Sequence, residues 1–196
     1  NLVRLELPEG EDKYNEAGKT LNEWLDKGIL ERDSKEGIYV YREEFAVKGK
    51  EYCLTGIVCR VKLCDFSEKV VLPHEETLTK AKKDRFELMS ATGCNFSSIY
   101  SLYSDESGKI AEVIAKKTEE APIHRFTDEE EVTHTLWKIE CENGISAIVN
   151  ALADKQLFIA DGHHRYETAL NFRNHCKNFM VQIFLHVFNL FFELLK

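Results

Sequence analysis

The chain has no Cys-x-x-Cys pair. Its six cysteines, Cys53, Cys59, Cys64, Cys94, Cys141 and Cys176, are scattered. That spacing argues against a zinc ribbon or a thioredoxin-type redox motif. Basic charge is also in short supply. A formal net charge of −8 over 196 residues argues against a general nucleic-acid coat, because phosphate backbones recruit basic surfaces. A local basic pocket remains compatible with it. No secretory signal is visible, so a reducing cytoplasm is the expected compartment, and the Asn95-Phe96-Ser97 sequon is not expected to carry sugar. No internal repeat, low-complexity tract or linker divides the chain. With 43% hydrophobic and 31% charged residues, it reads as a single globular domain with a sizeable core. It opens on Asn1 rather than methionine, and the expectation is a piece of something longer.

Long apolar runs are missing too, except at the end. From Phe179 to Lys196 the chain is rich in large apolar residues. Gln182, His186, Asn189 and Glu193 interrupt it at helical spacing and share one helical face. Four polar residues in eighteen argue against a membrane span. The expectation is one domain over residues 1–178, followed by an apolar C-terminal helix over 179–196 that packs poorly or stands apart.

Between these limits, apolar periodicity alternates between helix and strand. Tyr14–Lys27 reads as an amphipathic helix stopped by Gly28. Ile38–Val47 and Tyr52–Phe66 read as an antiparallel hairpin across Lys48-Gly49-Lys50. Helices are expected over Thr79–Ala91, Lys109–Lys117, Ile145–Leu152 and Tyr166–His175. Strands are expected over Ser98–Tyr103, Val132–Glu140 and Leu157–Ala160. The class is α+β, a mixed sheet with packed helices.

The densest chemical signal is Leu157-Phe158-Ile159-Ala160-Asp161-Gly162-His163-His164-Arg165-Tyr166. A short apolar strand ends in Asp-Gly, two histidines and an arginine follow, and a helix begins. Helix N-termini carry unpaired N–H groups and a positive partial charge, which suits a phosphate. Gly162 permits close backbone approach, and Arg165 offers a planar fork to two phosphate oxygens. Asp161 could hold magnesium or orient an attacking hydroxyl. Adjacent histidines on a helix point in different directions, so one metal rarely takes both.

A second polar cluster, Pro73-His74-Glu75-Glu76-Thr77, precedes the Thr79 helix with its Lys83-Asp84-Arg85. It reads either as a capped, solvated surface helix or as a site contribution, with His74 and Glu75 suited to acid–base work. His134, on a strand near Trp137, is a weaker candidate, since a lone strand histidine is usually structural.

The Ile159–Leu170 run, Ile-Ala-Asp-Gly-His-His-Arg-Tyr-Glu-Thr-Ala-Leu, closely resembles the signature of an uncharacterised bacterial and archaeal family, DUF1015. Blocks at Asn1–Glu6, Ile38–Tyr41, Pro73–Thr77, Lys83–Arg85 and His134–Trp137 also look like that family's, in its order. The resemblance covers roughly residues 1–177. It lacks the Pro-Pro-Tyr-Asp and Pro-Thr-His-Arg segments of typical, longer members. More distantly, Asp161–Arg165 is similar to the Asp-Gly-His-x-Arg loop of free-serine kinases in the ParB and sulfiredoxin superfamily, where the loop leads into a helix and holds nucleotide phosphates.

That resemblance implies a strand–loop–helix over residues 157–175. It also implies a nucleotide-dependent phosphotransferase or phosphohydrolase. ATP or ADP with magnesium would be held by Gly162, His163, His164, Arg165 and Arg85. Asp161, His164, Glu75 and His74 would do the chemistry, with Asp161 on the metal. The alternatives are a nucleotide-binding regulatory module without turnover and a metal-dependent hydrolase using His163, His164, His74 and Asp161. The expected partner is a small phosphate ligand, with neither nucleic acid nor membrane.

Overall fold

A computed structural model of the chain describes residues 2–75, 79–176 and 182–189, with residues 79–81 and 182–189 described through their backbone. Its centre is one mixed sheet. Ile38–Val47 (β1) and Lys50–Lys62 (β2) form the expected hairpin, paired from Val47↔Lys50 to Tyr39↔Val58. A two-residue sheet-edge strand, Val71–Leu72 (β3), Ile99–Tyr103 (β4), His124–Thr127 (β5), Thr133–Ile139 (β6), Leu157–Asp161 (β7) and Gln182–Asn189 (β8) complete it. The strand order is β3-β7-β4-β8-β2-β1-β6-β5. The β3–β7 and β4–β8 pairs are parallel and the other five antiparallel. The expected α+β class holds.

Helices are Val3–Glu6 (α1), Lys13–Asp26 (α2), Thr79–Thr92 (α3), Lys109–Thr118 (α4), Glu142–Leu152 (α5) and His163–His175 (α6). Helix α3 packs between α2 and α6, and α4 packs on α5. Gly18 sets the α2–α3 approach, since a Cβ there would stand 2.8 Å from the carbonyl oxygen of Ala91. The core collects Val40, Ile57, Ile99, Tyr103, Ile110, Ile159 and Tyr166, each fully or almost fully buried. Leu157 and Ile159 are buried as expected, because alternate residues of an interior strand face the helices. Burial pushes the Tyr166 phenol up to about 12. Its hydroxyl donates to Cys64 O at 2.8 Å and accepts from the Cys64 amide at 3.1 Å, so burying it leaves no polar atom unmet. No cysteine among the described residues is in a disulfide. No helix among them is long and apolar enough to cross a membrane.

Two expectations need correction. The segment 179–196 does not read out as a helix where it is described. Residues 182–189 are a strand, β8, seated between β2 and β4, while 179–181 and 190–196 lie outside the described residues. Strands on both sides offer hydrogen-bond edges to residues 182–189, and this tertiary pairing overrides the helical spacing of Gln182, His186 and Asn189. Second, Asp161–Arg165 is not a loop. Asp161 ends β7, Gly162 alone makes the connection, and His163–Arg165 are the first residues of α6. The helix starts three residues before Tyr166 because Gly162 reverses the chain at φ +97°.

Because β8 hydrogen-bonds to both β2 and β4, deleting residues 179–196 should divide the sheet rather than improve solubility. Circular dichroism on heating should lose its cooperative transition. A truncated chain that melts cooperatively near the full-length temperature would show that β8 is dispensable.

Candidate functional site

Residues that flank the β7–α6 junction in sequence part company in space. Successive helical residues point about 100° apart, so the first turn of α6 faces two different surroundings.

His163 turns inward and is 2% exposed. Its Nδ1 lies 3.1 Å from Glu75 Oε1, and the His74 amide approaches its Nε2 at 3.3 Å. The His74 ring meets it edge to face, centroids 4.4 Å apart, and His74 Nδ1 is 2.8 Å from the Ile159 carbonyl oxygen. Burial holds the His163 imidazole below its ordinary range, while the Glu75 carboxylate acts in the opposite sense. The second polar cluster therefore does converge on the Asp-Gly-His-His-Arg segment, through His163.

His164 and Arg165 face the other way. They line a cavity of about 830 Å³ together with Thr168 of α6, Glu6 of α1, Asp84, Arg85, Leu88 and Met89 of α3, and the Cys94–Ser97 segment. Arg165 donates through Nη1 to the Ser98 carbonyl and through Nη2 to Asp161. The guanidinium folds back over Gly162, so closely that a Cβ there would stand 3.0 Å from Nε. Across the cavity, Arg85 donates Nε and Nη2 to Asp84 Oδ2 at 3.0 and 2.6 Å, and Nη1 to the Glu6 carbonyl at 2.9 Å. Each guanidinium has five N–H groups, so both keep donors for a ligand. His164 Nδ1 is buried and has no hydrogen-bond partner among the described residues.

The electrostatics of α6 are inverted relative to an ordinary helix. Its first turn carries no acidic residue, and no side chain caps it among the described residues. His163, His164 and Arg165 instead stand at its positive end, which favours anions. Asp161, directly before the turn, supplies the compensating charge through Arg165. Its side chain is otherwise well exposed, and it does not line the cavity. Asp161 is thus placed as the partner of Arg165.

Asp84 organises the α3 wall. Lys13 Nζ at 2.9 Å, Tyr14 OH at 2.7 Å and Arg85 all donate to it. These bonds, the Lys13 one foremost, hold its carboxyl well below the usual carboxylate range. His134 lies elsewhere, on β6, between Tyr41 OH at 2.6 Å and Asp128 Oδ2 at 3.0 Å. Its cavity, lined by Tyr41, Phe126 and Arg125 among others, does not include α6. Sequence gave no periodic or compositional signal for Glu6, Asn95, Ser97 or Ser98 as neighbours of Arg165 and Arg85.

The family model described as Protein of unknown function (DUF1015) matches residues 1–191. The match extends past the expected limit near residue 177 and takes in residues 179–191 of the apolar end. No curated protein and no solved structure matches.

The lowered Asp84 carboxyl fixes the sign of a pH effect. A carboxylate depressed in the folded state stabilises the fold above its unfolded value, about 3.9, and loses that contribution as pH falls through the folded one. Asp84→Asn should therefore cost about 1 kcal/mol at neutral pH, after allowance for its partial exposure. Urea denaturation should show the gap to wild type closing below about pH 4. A gap independent of pH would mean that the charge of Asp84 contributes nothing.

Proposed function

The chain belongs to the DUF1015 family, whose description assigns no activity, and on the cavity beside α6 we propose that it is a phosphotransferase or phosphohydrolase acting on a nucleotide, ATP or ADP with magnesium. One observation carries this. Arg165 and His164 from the first turn of α6 and Arg85 from α3 line a single cavity at the positive end of a helix. Two guanidinium forks and a helix terminus favour a multiply charged phosphate over a monoanion. A cavity of about 830 Å³ falls within the ordinary range for small-molecule sites. The likeness of Asp161–Arg165 to the phosphate loop of free-serine kinases points the same way.

The residues take roles by position. Arg85 and Arg165 bind phosphate oxygens and orient them. His164, with an unpartnered Nδ1, accepts or delivers a proton at the reacting hydroxyl or water. Magnesium is compatible with Asp161, since the ion is commonly held by one or two carboxylates together with substrate phosphates. A phosphate that competes for Arg165 would release Asp161 to serve it. When bound, the ion would neutralise phosphate charge. Glu75 and His74, which do not line the cavity, support α6 through His163.

The Asp161–Arg165 pair also favours a second function, a nucleotide-binding module without turnover, because a carboxylate committed to its neighbour is not free for chemistry.

Calorimetric titration of ATP and ADP, with and without magnesium, separates these outcomes. Arg165→Ala should weaken binding roughly tenfold to a hundredfold, the worth of a charge-assisted hydrogen bond. Asp161→Asn should reduce phosphate release or transfer more than binding. Equal affinity of wild type and Arg165→Ala, or binding by neither, would defeat the phosphate pocket. Binding without phosphate release or transfer would select the module.

A further inference from the structure

The cluster on the other side of the α6 start has a chemistry of its own. His74, Glu75 and His163 each bring a ligand atom to within 4.8 Å of the others. They come from two distant stretches of chain, the segment after β3 and the first residue of α6. His74 Nδ1 stands 2.8 Å from the Ile159 carbonyl oxygen. A carbonyl only accepts, so the ring proton sits on Nδ1 and the Nε2 lone pair is available. A histidine anchored on a backbone carbonyl through its other nitrogen is the usual outer support of a metal ligand. His163 is held by burial, and its Nδ1 already faces Glu75 Oε1 at 3.1 Å. Two ligand atoms of one tetrahedral ion with bonds of about 2.0–2.1 Å would stand roughly 3.3 Å apart.

We propose that His74, Glu75 and His163 form a binding site for one divalent transition-metal ion of the zinc type. Two imidazoles and a carboxylate suit zinc and its first-row neighbours, whereas magnesium and calcium prefer oxygen alone. The Glu75 side chain is 53% exposed, so the cluster opens to solvent on that side. Three protein ligands with an open fourth position are the donor set of zinc ions that bind water or substrate. Binding changes one contact in a defined way. With the His74 amide directed at Nε2, the His163 ring proton sits on Nδ1 and is shared with Glu75. A metal at Nδ1 displaces that proton, which moves to Nε2 so that the ring stays neutral, and the amide contact of 3.3 Å opens. The site is independent of the phosphate cavity, since none of its three residues lines that cavity.

Cobalt(II) is a suitable probe, because four-coordinate cobalt absorbs strongly in the visible. Titrated into the full chain, it should saturate at one ion per chain, with zinc displacing it. His74→Ala and Glu75→Gln, both at exposed positions, should each weaken cobalt binding by roughly tenfold or more. Circular dichroism should confirm that both variants are folded. His134→Ala, on a different cluster, should bind as wild type. No saturable visible band, unchanged affinity in both folded variants, or a loss in His134→Ala equal to theirs would each overturn the site.

Discussion

Gly162 is the only residue between β7 and α6, and its backbone stands at φ +97°. A side chain there would be strained by that angle and would also press on the Arg165 guanidinium. With no slack in the connection, the strand fixes where the helix begins and which way each residue of its first turn points. His163 must enter the interior toward His74 and Glu75. His164 and Arg165 must face α3. The division of one sequence motif into two chemical environments follows from this single tight turn.

The rest of the structure holds α6 in that pose. Tyr166 hydrogen-bonds both the N–H and the carbonyl of Cys64, just past β2. Near its C-terminal end, Arg173 donates to the Leu63 carbonyl at 2.9 Å and to Asp65 at 2.9 and 3.0 Å. Lys82 and Glu167 join α3 to α6 across a partly buried ion pair of 2.6 Å. The helix is clamped at both ends, so the side chains at its start are held in place. Asp161 offsets Arg165 at close range, and Glu75 stands beside His163. A guanidinium at the positive end of a helix is unfavourable without an anion, and this is the physical basis for reading the cavity as an anion site.

Much of this was legible in the sequence. The hairpin at Lys48-Gly49, the amphipathic α2, the alternation of Thr135 and Trp137 on β6, and the strand at Leu157 all follow from local period and turn chemistry. The strand-to-helix change around Asp161–Arg165 was legible too, whereas His74 and Glu75 could be read equally as a solvated helix entry until the structure placed them beside His163. What failed depended on distant partners. Residues 182–189 carry helical spacing of polar side chains, yet β2 and β4 impose a strand by supplying hydrogen-bond edges on both sides. The short β3 and β5 exist because β7 and β6 offer edges to pair with. The Ser98 carbonyl and Glu6 reach the arginines from stretches that carry no local mark of it. The motif is dense in polar residues, but only the one-residue turn shows that His163 and His164 face different surroundings.

The central claim, that these adjacent histidines belong to separate sites, can be tested directly by nuclear magnetic resonance on protein labelled with nitrogen-15 at histidine. Ring signals assigned to His163 and His164 would be followed while ATP is added without metal. The structure predicts that the His164 ring signals move with saturation while those of His163 and His74 stay in place. Joint movement of His163 and His164, or movement of His163 alone, would contradict the division of the motif on which this account rests.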